Sequence, residues 1–138
     1  MHKIAIIGAG MIGYSHANAI SNLSNAELIA VCDINEKSAK KLGSENNCQH
    51  FTDIETMFYE KKDIGIVIVT VPTFLHEEVV SICAKHNKHI LCEKPLELTV
   101  EKTKKLLKSV HDAGVVFMTA QVVRFWTGYT EIKQMYDS

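Results

Sequence analysis

Short apolar runs alternate with amphipathic segments along the whole chain. Lys3 to Ile7 is an apolar run ending at Gly8, which predicts a buried strand. Met11 to Leu23 reads as a helix rich in small residues. Glu27 to Cys32 is β-branched and apolar, a second strand closed by Asp33. Asn35 caps a predicted helix over Glu36 to Leu42, with Gly43 as its stop. Gln49 to Phe51 is a weak third strand, and Asp53 caps a short helix with Met57 and Phe58 inward. Ile64 to Val71 is apolar without alternation, the pattern of a strand covered on both faces in a parallel sheet. Pro72 ends it.

The second half repeats the scheme. Leu75 to His86 predicts a helix with Val79, Val80, Ile82 and Cys83 inward, and His89 to Cys92 the next strand. Thr99 caps a helix whose apolar positions are Val100, Leu106, Leu107 and Val110, with Lys102, Lys104, Lys105 and Lys108 toward water. Gly114 ends that helix. Val115 to Ala120 is a last strand, and Phe125 to Ser138 holds an amphipathic helix with Ile132, Met135 and Tyr136. Strands alternating with helices predict an α/β fold: a doubly wound parallel (Rossmann) sheet in three layers, as a single domain. Ligands of such sheets bind at the carboxyl ends of the strands.

The composition agrees with one globular domain: 138 residues, 46% hydrophobic and 22% charged. The formal net charge is −1, and Arg124 is the only arginine. Neither half of the chain is a basic arm, which argues against a nucleic-acid surface. No apolar run approaches the ~20 residues that span a bilayer, and the N-terminus lacks the features of a secretory signal. The cysteines, Cys32, Cys48, Cys83 and Cys92, have no zinc-like spacing, so no metal site is expected. Three of them lie in apolar stretches and read as buried, reduced side chains, which implies a cytoplasmic protein.

Gly8-Ala9-Gly10-Met11-Ile12-Gly13 is a GxGxxG placed between a strand and a helix, the context in which that spacing cradles a pyrophosphate. Gly8 permits the turn, Gly10 admits the phosphate to the backbone, and Gly13 lets the helix approach the strand. Asp33 follows Gly13 by 20 positions and ends the second strand. A carboxylate there accepts hydrogen bonds from a ribose and repels a 2′-phosphate. With Lys37 the only base nearby, NAD is favoured over NADP. The alternative role for Asp33 is to cap the turn before Asn35. A methyltransferase binding S-adenosylmethionine shares the same glycine-and-acid logic. Thr73 is placed to cap the helix after Pro72. Lys94 follows the fifth strand, held extended by Pro95, with Glu93 as its electrostatic partner.

GAGMIG, the acid at the second strand end, VPTFLH (71–76) and CEKP (92–95) occur in this order. Together they resemble the glucose–fructose oxidoreductase/inositol dehydrogenase family, Gfo/Idh/MocA. Gln121 to Trp126 looks like that family's connection out of the nucleotide domain. The resemblance covers Lys3 to about Trp126 and argues against the methyltransferase.

The resemblance implies that Gly8, Gly10, Met11, Ile12 and Gly13 bind pyrophosphate and Asp33 the adenosine ribose. Pro72, Thr73 and His76 would line the cofactor cleft. Glu93, Lys94 and Gln121 would approach the nicotinamide, with Lys94 as the catalytic residue assisting proton removal. Arg124 would flank the substrate entrance; otherwise it makes a surface salt bridge. Thr73 departs from the asparagine usual there. The implied division is 1–122 as the dinucleotide-binding domain and 123–138 as a connection toward a substrate domain, absent from these residues, that supplies the proton-accepting histidine. The implied activity is hydride transfer between NAD(P) and a sugar, polyol or related secondary alcohol. The chain alone is expected to bind cofactor without turning over. The alternative is a stand-alone dinucleotide-binding module or sensor. Apolar residues around Phe125 and Trp126 predict a homodimer.

Overall fold

The computed structural model describes all 138 residues. The elements are β1 (His2–Ile7), α1 (Met11–Ser21), β2 (Ala26–Cys32), α2 (Glu36–Glu45), β3 (Gln49–Phe51), α3 (Ile54–Glu60), β4 (Ile66–Val69), α4 (His76–Lys85), β5 (His89–Cys92), α5 (Val100–Ala113), β6 (Phe117–Thr119) and α6 (Thr127–Asp137). One-turn 3₁₀ segments over Thr73–Leu75 and Val122–Phe125 lead into α4 and α6. The six strands form one sheet in the order β3-β2-β1-β4-β5-β6, and every pairing is parallel. This is the doubly wound sheet expected.

Because side chains alternate across a strand, β1 feeds two cores. Ile4 and Ile6 pack with Ala17 and Ile20 of α1 and Leu42 of α2. Ala5 and Ile7 face the larger core, built from Met57, Phe58, Val80, Cys83 and Leu106 of α3, α4 and α5. Both faces of the central strands are thereby dry, as the unbroken apolar run in β4 requires.

Several local expectations are corrected. Gly43 does not stop α2, which continues to Glu45. A Cβ at Gly43 would lie 3.1 Å from the Cys48 carbonyl oxygen and 3.2 Å from His50 Cβ, so the glycine serves close packing of α2 against β3. Val100 and Leu107 are 64% and 45% exposed and do not join the core. Only Leu106 and Val110 of α5 are buried, because α5 packs chiefly against α4 along a single narrow stripe. The tail forms the expected helix, yet α6 buries no residue. Its Ile132, Met135 and Tyr136 are all exposed, as are Phe125 and Trp126 before it. No helix is long and apolar enough to cross a membrane.

Candidate functional site

Strand register sets out the site. Across the sheet, Phe51, Cys32, Ile7, Val69, Cys92 and Thr119 pair in one row at the carboxyl ends. The next residues continue that row: Asp33, Gly8, Thr70, Glu93 and Ala120 each donate their backbone N–H to a carbonyl of the neighbouring strand, at 2.8–3.1 Å. Sequence order reverses between β2 and β4, on either side of β1, so the crevice of a doubly wound sheet opens at Gly8.

The three loop glycines do different things. Gly8 has φ +109°, and a Cβ there would come within 2.7–2.8 Å of Thr70. A Cβ on Gly13 would sit 2.3 Å from the Gly8 carbonyl oxygen, so only glycine lets α1 start this close to β1. A Cβ on Gly10 would meet nothing within 4 Å. Packing therefore does not demand a glycine at Gly10; the space above it is open. Gly10 is also the N-cap of α1 and supplies no side-chain hydrogen bond to it. The first-turn N–H groups of Met11, Ile12 and Gly13 have no intrahelical acceptors and, with the helix dipole, favour an anion. An open cradle over an uncapped helix start fits a dinucleotide pyrophosphate.

Asp33 both braces the loop and faces the cleft. Its Oδ2 accepts from the Ala9 N–H at 2.7 Å, and its Oδ1 accepts from the Asn35 N–H at 2.8 Å. The turn-capping role is thus present, and each carboxylate oxygen keeps a further lone pair for a ribose hydroxyl. Asp33 lines a cleft of about 770 Å³ together with Gly8, Gly10, Ile34, Pro72 and Leu75, ample for a small-molecule cofactor. Cys32 also borders it, but burial pushes its thiol up to about 12, which removes thiolate chemistry at neutral pH.

The loop after β5 borders a second groove of about 470 Å³, with Ile12, His16, Glu93, Lys94, Ala120 and Phe125 among its walls. Glu93 is not the partner of Lys94. Its Oε1 lies 2.9 Å from Nε2 of His16, on the second turn of α1, and its Oε2 accepts from the Lys94 backbone N–H at 3.1 Å. The α1 imidazole faces the groove and claims the carboxylate. The Lys94 side chain is exposed and makes no ion pair, and the Lys94–Pro95 peptide is cis.

Two other residues stand differently from expectation. His76 does not line the cleft. It is 1% exposed, and both ring nitrogens lie against backbone carbonyls. Thr73 is half-buried and opens the 3₁₀ turn without a side-chain capping bond. The cap of α4 comes from Glu97, whose Oε1 accepts from the Glu77 N–H at 2.9 Å. Burial works against the Glu97 carboxylate, but the N–H groups of Leu98 and Glu77, with Lys102 and His76 nearby, hold its pKa below the usual value. Gln121 and Arg124 are exposed on the segment after β6, and Arg124 makes no salt bridge.

Two contributors escaped sequence reasoning. The Thr70 hydroxyl stands 2.7 Å from the Gly8 carbonyl oxygen and 3.1 Å from that of Ile7, locking the glycine turn onto β4. A lone hydroxyl at the end of an apolar strand was the available signal. His16 had none, since its partner is 77 residues away.

Comparison with known proteins agrees with this geometry. The model of an oxidoreductase family with an NAD-binding Rossmann fold, Gfo/Idh/MocA, matches residues 2–121. The chain is 28% identical to the NAD(+)-dependent scyllo-inositol 2-dehydrogenase of Bacillus subtilis, over 99% of this chain and 40% of that protein. It is 30% identical to the 2,7-anhydro-N-acetylneuraminate hydratase of Mediterraneibacter gnavus, over 95% of this chain and 34% of that protein. The apo scyllo-inositol dehydrogenase of Lactobacillus casei superposes with a TM-score of 0.91 at 25% identity, covering 99% of this chain and 41% of that one. The chain thus spans about 34–41% of the length of these relatives. With a matching family model over most of its length and the glycine loop, acid and EKP turn on one sheet edge, the chain belongs to the Gfo/Idh/MocA oxidoreductases, as their NAD-binding Rossmann domain.

Proposed function

We propose that this chain is the cofactor half of a dehydrogenase that moves a hydride between NAD and a CH–OH carbon of a sugar, polyol or related secondary alcohol. The observation that carries the reading is the open space over Gly10 at the uncapped start of α1, in one cleft with Asp33. The pyrophosphate lies against Gly8, Gly10, Met11, Ile12 and Gly13, and the adenosine ribose against Asp33. Asp33 disfavours a 2′-phosphate, so NAD is preferred over NADP. Pro72 and Thr73 flank the dinucleotide, and Glu93, Lys94 and Gln121 stand toward its nicotinamide end. When bound, the nicotinamide supplies the hydride acceptor or donor.

Lys94, free of any ion pair, hydrogen-bonds the substrate oxygen and assists its proton loss. Arg124 flanks the entrance. Residues 123–138 lead toward a substrate domain outside these 138 residues, which supplies the proton acceptor. The same apolar region, around Phe125 and Trp126, is the proposed dimer contact; a monomer by light scattering at high concentration would count against it. The relatives include proteins named as hydratases as well as dehydrogenases, so the substrate half decides the net reaction. The four unpaired cysteines support the reading of a cytoplasmic protein.

Calorimetric titration with NADH and NADPH tests the reading. Saturable NADH binding, lost in Asp33→Ala and Gly10→Val, supports it. Tighter NADPH binding overturns the role given to Asp33, and no binding of either overturns the claim that this half holds the cofactor unaided.

A further inference from the structure

His76 is the one polar residue in the buried set. Its Nε2 lies 3.0 Å from the Val71 carbonyl oxygen and its Nδ1 3.0 Å from that of Leu96. Both neighbours are acceptors only. A neutral imidazole has a single N–H, so its other nitrogen would turn a lone pair onto a carbonyl lone pair at hydrogen-bond distance. In a site sealed from water that contact is repulsive and leaves a buried acceptor unmatched. The imidazolium alone donates to both.

The surroundings suit a cation. The Glu97 carboxylate, on the same loop as Leu96, accepts from the Glu77 N–H next to His76 at 2.9 Å. Glu77 and Glu78 follow on α4 itself. Across from them, Lys102 of α5 reaches the Phe74 carbonyl oxygen at 3.3 Å, so one ammonium also stands beside this segment, held by its own acceptor. Glu93 and Lys94 are the remaining charged groups on the loop, and Glu93 is engaged by His16. β4 brings no titratable side chain.

The two carbonyls belong to the two walls that matter. Val71 borders the cofactor cleft, and Leu96 is two residues beyond Lys94. We propose that His76 is a positioning residue that carries two ring protons and ties the Lys94 loop to the end of β4, setting where Lys94 stands beside the cofactor. The importance of Lys94 rests on the function proposed above; the doubly protonated tie does not.

The first test needs no cofactor. Long-range ¹H–¹⁵N correlation on the ¹⁵N-labelled chain at neutral pH should show both His76 ring nitrogens protonated. A ring with one protonated nitrogen overturns the proposal. The second test is His76→Gln, which keeps one donor nitrogen and so reaches only one of the two carbonyls. Amide exchange at Glu77, whose N–H is held by the Glu97 carboxylate of the tied loop, should quicken by about tenfold or more, as expected for one lost buried bond. NADH should bind about tenfold more weakly while ADP-ribose, which lacks the nicotinamide, binds nearly as before. Equal weakening of both ligands overturns the positioning role. Failure of the unmutated chain to bind NADH refutes the cofactor reading alone, since the ring protons and exchange rates still decide this one. If His76→Gln does not fold, exchange at Glu77 in the unmutated chain is followed with rising pH. It should quicken as the second ring proton is lost, and a flat profile after correction for intrinsic exchange overturns the tie.

Discussion

Adding one methyl group to Gly10 and to Gly13 should separate binding from folding. At Gly13 the new Cβ would stand 2.3 Å from the Gly8 carbonyl oxygen, 3.4 Å from its carbon and 3.5 Å from Ile6 Cγ2. Relief requires α1 to retreat by roughly an ångström, since carbon atoms prefer about 3.5 Å or more. The retreat loosens Ala17 and Ile20, which α1 buries against Ile4 and Ile6. A radial gap of that size forfeits a quarter to a half of each dispersion contact. Overpacking of this kind costs about 1–3 kcal/mol, and the upper end applies because the obstacle is backbone. For a chain of this length that lowers Tm by roughly 10 °C. At Gly10 the same methyl meets nothing, and its backbone, φ −81° and ψ −174°, is open to any residue. Gly10→Ala should therefore keep Tm within about 2–3 °C, the poorer N-cap being the only loss. Its methyl fills the space assigned to the pyrophosphate, so NADH affinity should fall by at least about tenfold, or 1.4 kcal/mol. Thermal unfolding by circular dichroism and calorimetric titration read the two effects. If Gly10→Ala binds NADH normally, or if it unfolds as early as Gly13→Ala, the division of labour among the glycines is wrong.

Further expectations follow from the same contacts. Thr70→Val removes the hydroxyl beside the Gly8 carbonyl oxygen at similar volume; stability should drop by about 1 kcal/mol in denaturant titration, with NADH binding weakened in step. The Glu97 carboxylate is held below its usual pKa, so its stabilisation is complete above the ordinary glutamate value and fades as pH falls through the lowered one. Glu97→Gln should thus cost about 1 kcal/mol at neutral pH and progressively less in acid; an equal cost at every pH would refute the charge-assisted cap. Burial pushes the Cys92 thiol up to about 12 and Cys83 higher still, while half-exposed Cys48 sits at about 11. A thiol reagent should label Cys48 first in the native chain and all four cysteines only in denaturant, as read by mass spectrometry.

The wall of glycines, the acid and the EKP turn were legible in the residues because each is local. A strand ends, a helix begins, and Gly8 or Asp33 stands at the junction whatever the rest of the chain does. The boundaries that slipped were those where packing overrode a local signal. Gly43 reads as a helix stop, yet it is spent on the approach of α2 to β3. Val100 and Leu107 read as core positions, yet α5 buries only a narrow stripe.

What the residues alone determined was the alternation of strands and helices, the parallel sheet, the glycine loop with its acid, and the order of motifs that marks the family. Periodicity and chain neighbours suffice for these. What only the tertiary structure decided was partnership. Glu93 pairs with His16 instead of Lys94, Glu97 caps α4 in place of Thr73, Thr70 locks Gly8, and His76 lies between two carbonyls beneath the cleft. Each of these joins residues 20 to 77 positions apart; the one nearer contact, from His76 to Val71, is local. The parallel register of β1, β4 and β5 and the seating of α1 and α4 against them choose those partners, and a one-dimensional pattern carries no record of that choice.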